Sequence, residues 1–402
     1  MKKSIFILAA VAIVASCSDQ DTLKKDLQND NGMAISFTTF TENLTRGNVE
    51  NSDTTYKWVF FTHHDDFQVW GYKNTSSNAV FDADSVSVTV NPSDASKYDY
   101  TYSPLRFWDK AATKYEFYAA APKDNAGWTF VEPTNENQKN GYFETSSTLT
   151  PSNLAATPAD SYAESFKGVT DVDKMIAEPA SVAYASFNRP VQLNFIHILS
   201  RLNVTIKKAD NLATQIVKLK KFEVKNLNGS GNFSESTAAT QSGNNNRWSG
   251  QGTPITYSAT TSSDTAALFK IQQTPYYIIE SLVIPQDAAI ENIALDGKAK
   301  NVESVNYVAI ESAEEPYFVI TYVIWDGTKG HDAEEFTAYY NLATVFTAAA
   351  PTTLKFNEGW QNTLNITLQP NQIEFCAEVA AWADRDRAGQ NDPAKLADTV
   401  PI

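Results

Sequence analysis

Clusters of histidines and carboxylates are the residues in this chain whose types could support metal binding or catalysis. Residues 63–66 are His-His-Asp-Asp. Neighbouring side chains in a β-strand point to opposite faces, so the two histidines could share one ion only in a loop. The acidic pairs at 314–315 and 334–335 match glycosidase carboxylates in residue type alone, because nothing in the sequence fixes their separation. We interpret all three clusters as solvated surface.

Two single residues outside these clusters, His197 and Cys376, are also predicted to have structural roles. His197 lies in an apolar run and is predicted to be a satisfied, half-buried histidine. Cys376 is predicted to be a small core residue, since no histidine lies near it in the sequence. The chain contains no nucleophile elbow, zinc-protease motif, phosphate-binding loop or dinucleotide-binding glycine pattern. The sequence therefore predicts a protein that is not an enzyme and uses no metal and no cofactor.

Cys17 is the residue with the clearest predicted chemistry. Lys2 and Lys3 precede an apolar run over residues 4–15, and small residues then lead to Cys17. This is the pattern of a secretory signal peptide, too short for a confident transmembrane helix. Residues 14–17 also resemble a bacterial lipobox, in which the cysteine sulfur receives a diacylglycerol and cleavage falls before the cysteine. Because each buried methylene contributes about 0.8 kcal/mol, two or three acyl chains would hold the protein on a membrane.

The residues that follow Cys17 bear on where the exported protein is located. Residues 18–21 (SDQD) are similar to the acidic signal by which lipoproteins of Bacteroidota reach the outer leaflet of the outer membrane. We therefore predict a surface-exposed lipoprotein of the outer membrane. The alternative is an ordinary secretory signal that ends in an incidental cysteine.

Composition excludes several other classes of protein. The 402 residues carry a net charge of −15, and removal of a signal peptide with two lysines makes the charge more negative. This balance argues against binding to nucleic acid and to anionic lipid surfaces. With Cys17 lipidated, the second cysteine has no partner for an intramolecular disulfide. The 8 Trp, 18 Tyr and 22 Phe are enough to fill sizeable cores without such crosslinks.

Alternation of apolar and polar residues is the dominant structural pattern. Period two predicts half-buried strands, with one face formed by Ile35 and Phe37, by Val86, Val88 and Val90, by Leu202, Val204 and Ile206, and by Leu364, Ile366 and Leu368. Helical periodicity is scarce, and its best candidate, residues 211–221, is ambiguous with strand. Many short strands with no alternation of strand and helix predict an all-β protein of antiparallel sandwiches.

The same patterns divide the chain into five predicted parts. A proline-bearing loop ends near residue 190, and the strand pattern that starts at Gln192 indicates a second domain. The predicted parts are a signal peptide (1–16), a polar tether (17–33), an N-terminal sandwich domain (34–188), a C-terminal sandwich domain (189–382) and a tail (383–402).

Several stretches, in a fixed order from about residue 34 to 382, resemble the fimbrillin (FimA/Mfa-like) family of Bacteroidota, whose members are pilus subunits and related surface lipoproteins. The stretches that carry the resemblance are AISFTTFTENLTRG, FQVWGYK, YTYSPLRFWDKAATKYEFYAAAP, DKMIAE, LNFIHILSRLNVTIK, LVIPQ and WQNTLNITLQPNQIEFCAEVAAW. The resemblance implies two tandem transthyretin-like antiparallel β-sandwich domains. It also implies a type V pilus subunit, stalk or accessory (tip), that serves adhesion.

Assembly by strand exchange is the second expectation that the resemblance carries. In this family a protease removes the first strand after an arginine, and a segment of a neighbouring subunit takes its place. Carried over, cleavage falls between Arg46 and Gly47, and the removable first strand contains Ile35 and Phe37. Cleavage would send the subunit into a fimbrium and leave Cys17 behind. The alternative is that Arg46 is an ordinary loop arginine and the strand is permanent.

The tail bears on the role of the subunit within a fibre. Leu396, Val400 and Ile402 are the candidate plugs of a donor strand, although Pro393 and Pro401 interrupt the pattern. A stalk subunit, a tip or accessory subunit, and a lipoprotein that never polymerises all stay open. In the last case the expected partner is a glycan or a host protein. Aromatic side chains near polar turns would then stack on sugar rings: Trp58, Trp128, Trp248 and Trp325.

Overall fold

The computed structural model is built almost wholly of β-strands, which confirms the all-β prediction. The residues it describes are 28–29, 32–41, 66–74, 79–123, 127–133, 141–150, 154–155, 172–187, 189–236, 247–250, 252, 254–260, 269–287, 316–325, 334–342, 355–369 and 373–381. Within them, no helix has the length and apolarity needed to cross a bilayer.

The strands in chain order are β1 Gln28–Asn29, β2 Gly32–Met33, β3 Phe37–Thr41, β4 Phe67–Lys73, β5 Ala79–Asn91, β6 Asp94–Thr101, β7 Lys114–Ala121, β8 Thr129–Val131, β9 Tyr142–Thr148, β10 Leu154–Ala155, β11 Met175–Ala177, β12 Ala180–Ala183, β13 Val191–His197, β14 Ser200–Lys208, β15 Ile216–Asn228, β16 Ser230–Ser234, β17 Trp248–Ser249, β18 Pro254–Thr260, β19 Phe269–Ile271, β20 Tyr276–Val283, β21 Gln286–Asp287, β22 Tyr317–Trp325, β23 Glu334–Asn341, β24 Lys355–Phe356, β25 Trp360–Leu368 and β26 Ile373–Ala381. Two short 3-10 helices cover Tyr184–Ser186 and Asp210–Leu212.

An eight-stranded sheet forms the first half of the fold. Its order is β3-β13-β11-β7-β4-β5-β6, and β12 adds to β7. Phe37 at one end of this order contacts Phe81 of β5 and Tyr102, which follows β6, at the other. The sheet therefore curves until its two ends meet around one core, which is rich in aromatic side chains.

A four-stranded sheet, β17-β16-β9-β8, covers the other face of this curved sheet. Trp70, Tyr118 and Ile176 of the large sheet pack there in one buried cluster with Phe143 and Phe233 of the smaller sheet. β8 and β9 come from the first half of the sequence and β16 and β17 from the second. This small sheet thus takes strands from both sides of the boundary predicted at residues 188 and 189.

Two further sheets enclose the largest apolar core. One has the order β10-β18-β15-β22-β23 with β19 paired to β15, and the other has the order β20-β14-β25-β26. The predicted inward faces of β14 (Leu202, Val204, Ile206) and β25 (Leu364, Ile366, Leu368) are buried in this core. A further short pair joins β21 to β24.

The connection from β13 to β14 joins the two halves. β13 is the second strand of the eight-stranded sheet, and β14 is a central strand of the sheet on the largest core. Only Ile198 and Leu199 separate the two strands, and both are fully buried in the cluster between the halves. β13 lies after the predicted boundary but pairs with strands that lie before residue 188. The predicted boundary therefore does not coincide with a division between sheets, and the domain boundaries stay a prediction.

Three local expectations are refined by the structure. Residues 211–221 contain one turn of 3-10 helix and then β15, whose buried Val217 and Leu219 alternate with lysines. Val86 is buried as predicted, but Val90 on the same strand is 52% exposed, because β5 extends beyond the core. At the end of the predicted tether, β1 pairs with β2 in a short antiparallel hairpin.

Candidate functional site: the first strand and its groove

The strand β3 lies at the end of the eight-stranded sheet, and its only strand partner among the described residues is β13. The pairing is parallel, with Phe37 opposite Val191 and Thr41 opposite Phe195. At the start of this ladder the Val191 amide donates to the Ser36 carbonyl at 2.7 Å. The strand is thus attached along one edge by hydrogen bonds that do not depend on side-chain identity.

We use the name first strand for β3 together with residues 34–36, which lead into it; its alternate side chains point into the core. Ile35 and Phe37 are 1% and 4% exposed, as the period-two pattern predicted. The Phe37 ring meets four other rings edge-on at centroid distances of 5.4 to 6.3 Å, namely Phe67, Phe81, Tyr102 and Phe117. Such edge-to-face contacts are each worth about 0.5–1.5 kcal/mol beyond the area they bury.

Gly71 explains how these rings come so close. A Cβ atom at this position would lie 2.9 Å from Phe81 Cδ2 and 3.0 Å from Phe117 Cδ1. Both distances are shorter than normal van der Waals contact, so a larger residue would push two of the four rings. The glycine in the FQVWGYK stretch therefore has a packing role beneath Phe37.

The outer edge of residues 34–39, which lead into β3 and form its first half, is covered by the segment 100–108. The Tyr102 hydroxyl donates to the Ile35 carbonyl at 2.6 Å, and the Ile35 amide donates to the Arg106 carbonyl at 2.8 Å. Ala34 forms an isolated antiparallel bridge with Phe107. We name this segment the clamp. The first strand therefore lies in a groove with β13 as one wall and the clamp as the other.

Two tyrosine hydroxyls of the clamp form hydrogen bonds with the first strand. Burial raises the pKa of Tyr102 to about 12, so its hydroxyl stays protonated and remains a donor at neutral pH. The Tyr100 hydroxyl lies 2.9 Å from Thr39 Oγ1. Sequence reasoning missed both tyrosines. The signal that could have found them is the alternation of Tyr98, Tyr100 and Tyr102, which puts hydroxyl-bearing rings on one face of a strand.

This geometry can support the replacement of one strand by another. Without residues 34–41, the β13 backbone, the Arg106 carbonyl and the two tyrosine hydroxyls would lose hydrogen-bond partners, and the core around Phe37 would open. Unpaired backbone groups beside an open core are the features that bind an extended peptide strand.

Comparison with known proteins assigns the family. The model of the fimbrillin-like family matches residues 45–382, which is most of the chain. The chain belongs to the fimbrillin-like family. The match ends where the predicted C-terminal domain ends and begins at residue 45, so the first strand lies before it. Membership gives this fimbrillin a fimbrial or adhesive role at the cell surface, with other fimbrial subunits as its partners.

Solved structures of fimbrial proteins are also similar to this chain. A fimbrial protein from Bacteroides vulgatus is 14% identical over 87% of this chain and 99% of its own, with a TM-score of 0.45. The C-terminally truncated tip fimbrial protein Mfa3 from Porphyromonas gingivalis is 10% identical over 79% of this chain and 94% of its own, with a TM-score of 0.35. No curated protein sequence matches the chain. Membership rests on the family match, because both TM-scores are low.

Several predicted site residues of this fimbrillin lie outside the described residues, and their roles stay predictions. They are Cys17, Arg46, Gly47, Leu396, Val400 and Ile402. What the structure adds is the position of the strand next to one of them: β3 ends at Thr41, five positions before Arg46.

His197 is a structural residue. Its Nδ1 lies 2.9 Å from Asp173 Oδ2, and the two side chains are 4% and 0% exposed, so the histidine is more deeply buried than predicted. Nearby, Ser200 Oγ donates to the Trp360 carbonyl at 3.0 Å and accepts from Asn362 Nδ2 at 3.2 Å. His197 thus joins β13 to the segment before β11 within the first half, and Ser200 joins β14 to β25 within the second.

The acidic clusters behave as surface groups where the structure describes them. Asp66 accepts from the Val88 amide and pairs with Lys123 at 2.7 Å. Burial alone would raise the pKa of Asp66, but the hydrogen bonds from Lys123 and Val88 outweigh burial and lower it. Glu335 is 48% exposed and pairs with Lys220 at 2.6 Å. Among the described residues, no three His, Cys, Asp or Glu side chains are grouped so that they could hold a metal ion.

The tryptophans proposed for sugar stacking have other partners where the structure describes them. Trp248 is 5% exposed, and its Nε1 donates to the Ile198 carbonyl at 3.0 Å, so its ring is part of the core between the halves. Trp128 is half-buried against Phe143, with the Lys174 ammonium 5.9 Å from the centre of its ring. The side chains of the other two, at 58 and 325, lie outside the description.

Proposed function

We propose that this fimbrillin is exported as an outer-membrane lipoprotein through Cys17 and is assembled into a fimbria by strand exchange after cleavage between Arg46 and Gly47. The released fragment would carry both the lipid and the first strand. Cys17 is then a temporary tether during export, and Gly47 is the N-terminus of the assembled subunit.

The observation that carries the proposal is the placement of the first strand. It occupies a groove between β13 and the clamp, fills the core with two side chains, and ends five positions before Arg46. One cut beyond Thr41 would separate this strand from the rest of the chain without removing any other strand of the eight-stranded sheet.

The vacant groove would then accept a strand from another fimbrial subunit. An incoming segment would restore the ladder to β13 and refill the core with alternate side chains. The chain would donate its own segment 396–402 in turn, through Leu396, Val400 and Ile402, if it is a stalk subunit. An accessory or tip subunit needs the groove alone.

N-terminal mass spectrometry of the protein from its own cells tests the cleavage. We expect an N-terminus at Gly47 and ladders on unheated gels for the wild type. Arg46→Ala should retain the acylated Cys17 terminus and lose the ladders. Arg189→Ala is the matched control, since this arginine is exposed and lies just before β13. Wild-type protein with only an acylated Cys17 terminus would refute the proposal in favour of a permanent lipoprotein.

A further inference from the structure

The three inward positions of the first strand meet three different chemical environments. Ile35 is enclosed with 1% exposure in the aromatic-rich core. Phe37 lies among four aromatic rings. Thr39 is 9% exposed, and its hydroxyl lies 2.9 Å from the Tyr100 hydroxyl. The groove is therefore lined differently at each alternate position.

These environments define what can replace the strand. The central position favours an aromatic side chain, because an aliphatic one forfeits the edge-to-face contacts and leaves unfilled volume. A carboxylate there would be buried among rings without a compensating charge. At the third position Ser or Thr can bond to Tyr100, whereas an aliphatic side chain leaves that hydroxyl without this partner.

Residues 383–402 of the same chain do not match this pattern. They contain no Phe, Tyr or Trp. Placing Leu396 at the first position puts Asp398 among the rings and Val400 opposite the Tyr100 hydroxyl. Placing Val400 first puts the aliphatic Ile402 among the rings, where the groove favours an aromatic side chain.

We infer that the strand entering this groove comes from a different polypeptide and carries an aliphatic, an aromatic and a Ser or Thr residue at alternate positions. It is not the segment 396–402 of a second copy. The inference rests on the proposed strand exchange and names the chemistry of the partner. Residues 396–402 are left to serve a neighbour whose groove has aliphatic pockets.

Hydrogen exchange of residues 191–195 in the intact chain tests the selectivity of the groove. The first strand stays covalently attached, so its own residues can be replaced by those of the tail. Ile35→Val with Phe37→Ile reproduces the Val400-x-Ile402 pattern. The matched control, Ile35→Val with Thr39→Ser, keeps the aromatic ring. A third variant, with Leu, Asp and Val at positions 35, 37 and 39, reproduces the register that begins at Leu396.

The expected order of exchange follows from the lining of the groove. The valine–isoleucine variant should exchange about tenfold faster than the control, and the aspartate variant about a hundredfold or more. Amides of β14, which pairs with β20 and β25 and not with the first strand, report whether the sheets around the largest core stay folded.

Two results would overturn the inference. One is exchange in the valine–isoleucine variant that is as slow as in the control, because the groove would then accept the tail pattern. The other is equal loss of protection in the control, because selection by residue class would then be absent. Neither result depends on cleavage at Arg46, so failure of the proposed function is detected separately, by N-terminal mass spectrometry.

Discussion

Replacement of Tyr102 by phenylalanine isolates the polar part of the clamp. The substitution removes one oxygen and keeps the ring, which packs against Phe37 and Phe81 at 5.8 and 5.2 Å. The lost hydroxyl donates to the Ile35 carbonyl at 2.6 Å and accepts from the Arg106 amide at 3.3 Å. The apolar contacts of the first strand are therefore unchanged, and its outer edge loses its shortest hydrogen bond.

The size of the effect follows from the two groups left without this partner. A single hydrogen bond contributes about 0.5–1.5 kcal/mol net, and leaving a buried partner unsatisfied costs about 1–3 kcal/mol. We expect Tyr102→Phe to destabilise the strand by about 1–3 kcal/mol, which multiplies its opening constant about 5- to 150-fold. Opening of this strand exposes the β13 amides, so the effect should appear in exchange at residues 191–195.

The assay is hydrogen exchange measured by mass spectrometry on the full chain. Tyr257→Phe is the matched control, because the Tyr257 hydroxyl donates to the Leu282 carbonyl at 2.7 Å from a different sheet. This control should leave exchange at residues 191–195 unchanged. If Tyr102→Phe also leaves that exchange unchanged, the clamp does not hold the strand, and the two-walled groove is wrong.

The remaining predictions concern pH and the junction between the halves. Because burial raises the pKa of Tyr102 to about 12, the contribution of its hydroxyl to stability is complete below pH ~10 and is lost as pH rises towards 12. Over this pH range, the urea concentration at the unfolding midpoint should fall less for Tyr102→Phe than for wild type. Burial lowers the pKa of Lys174 to about 8, so stability should rise between pH 8 and ~10.5 in wild type but not in Lys174→Met, measured by the same midpoint. Arg247 and Glu358 form a nearly buried ion pair; Arg247→Met should cost about 3–5 kcal/mol, and adding Glu358→Met should recover part of it, whereas additive losses would show that the pair is not coupled.

Strand patterns in the sequence predict the core better than they predict the groove. The alternation at Ile35 and Phe37 gives the inward face of the first strand without any tertiary information. The hydrogen bond from Tyr102 to Ile35 joins residues that are 67 positions apart, and no local sequence pattern predicts such a contact. Side-chain periodicity describes which face of a strand is buried, whereas the clamp depends on how the sheet curves.

Burial on both faces explains another limit of sequence prediction. In β14 the predicted apolar face is buried, but Arg201, Asn203 and Thr205 on the opposite face are buried as well. Arg201 Nε donates to Asn203 Oδ1 at 3.0 Å. Polar residues of an alternating strand are normally expected to face solvent. Here the second face carries hydrogen-bonded polar groups, which only the assembled sheets reveal.

The proposed cleavage would let another strand compete for the groove. While residues 42–65 connect the first strand covalently to β4, the strand binds its groove intramolecularly, at an effective concentration that a separate strand would not reach. A cut after Arg46 would leave the groove contacts unchanged but remove this advantage, because the strand, once lost, would stay with its lipid and would no longer be tethered to this groove. An incoming strand then needs only comparable contacts to replace it. Cleavage would thus permit exchange by changing concentration, while the lining around Phe37 decides which strand is accepted.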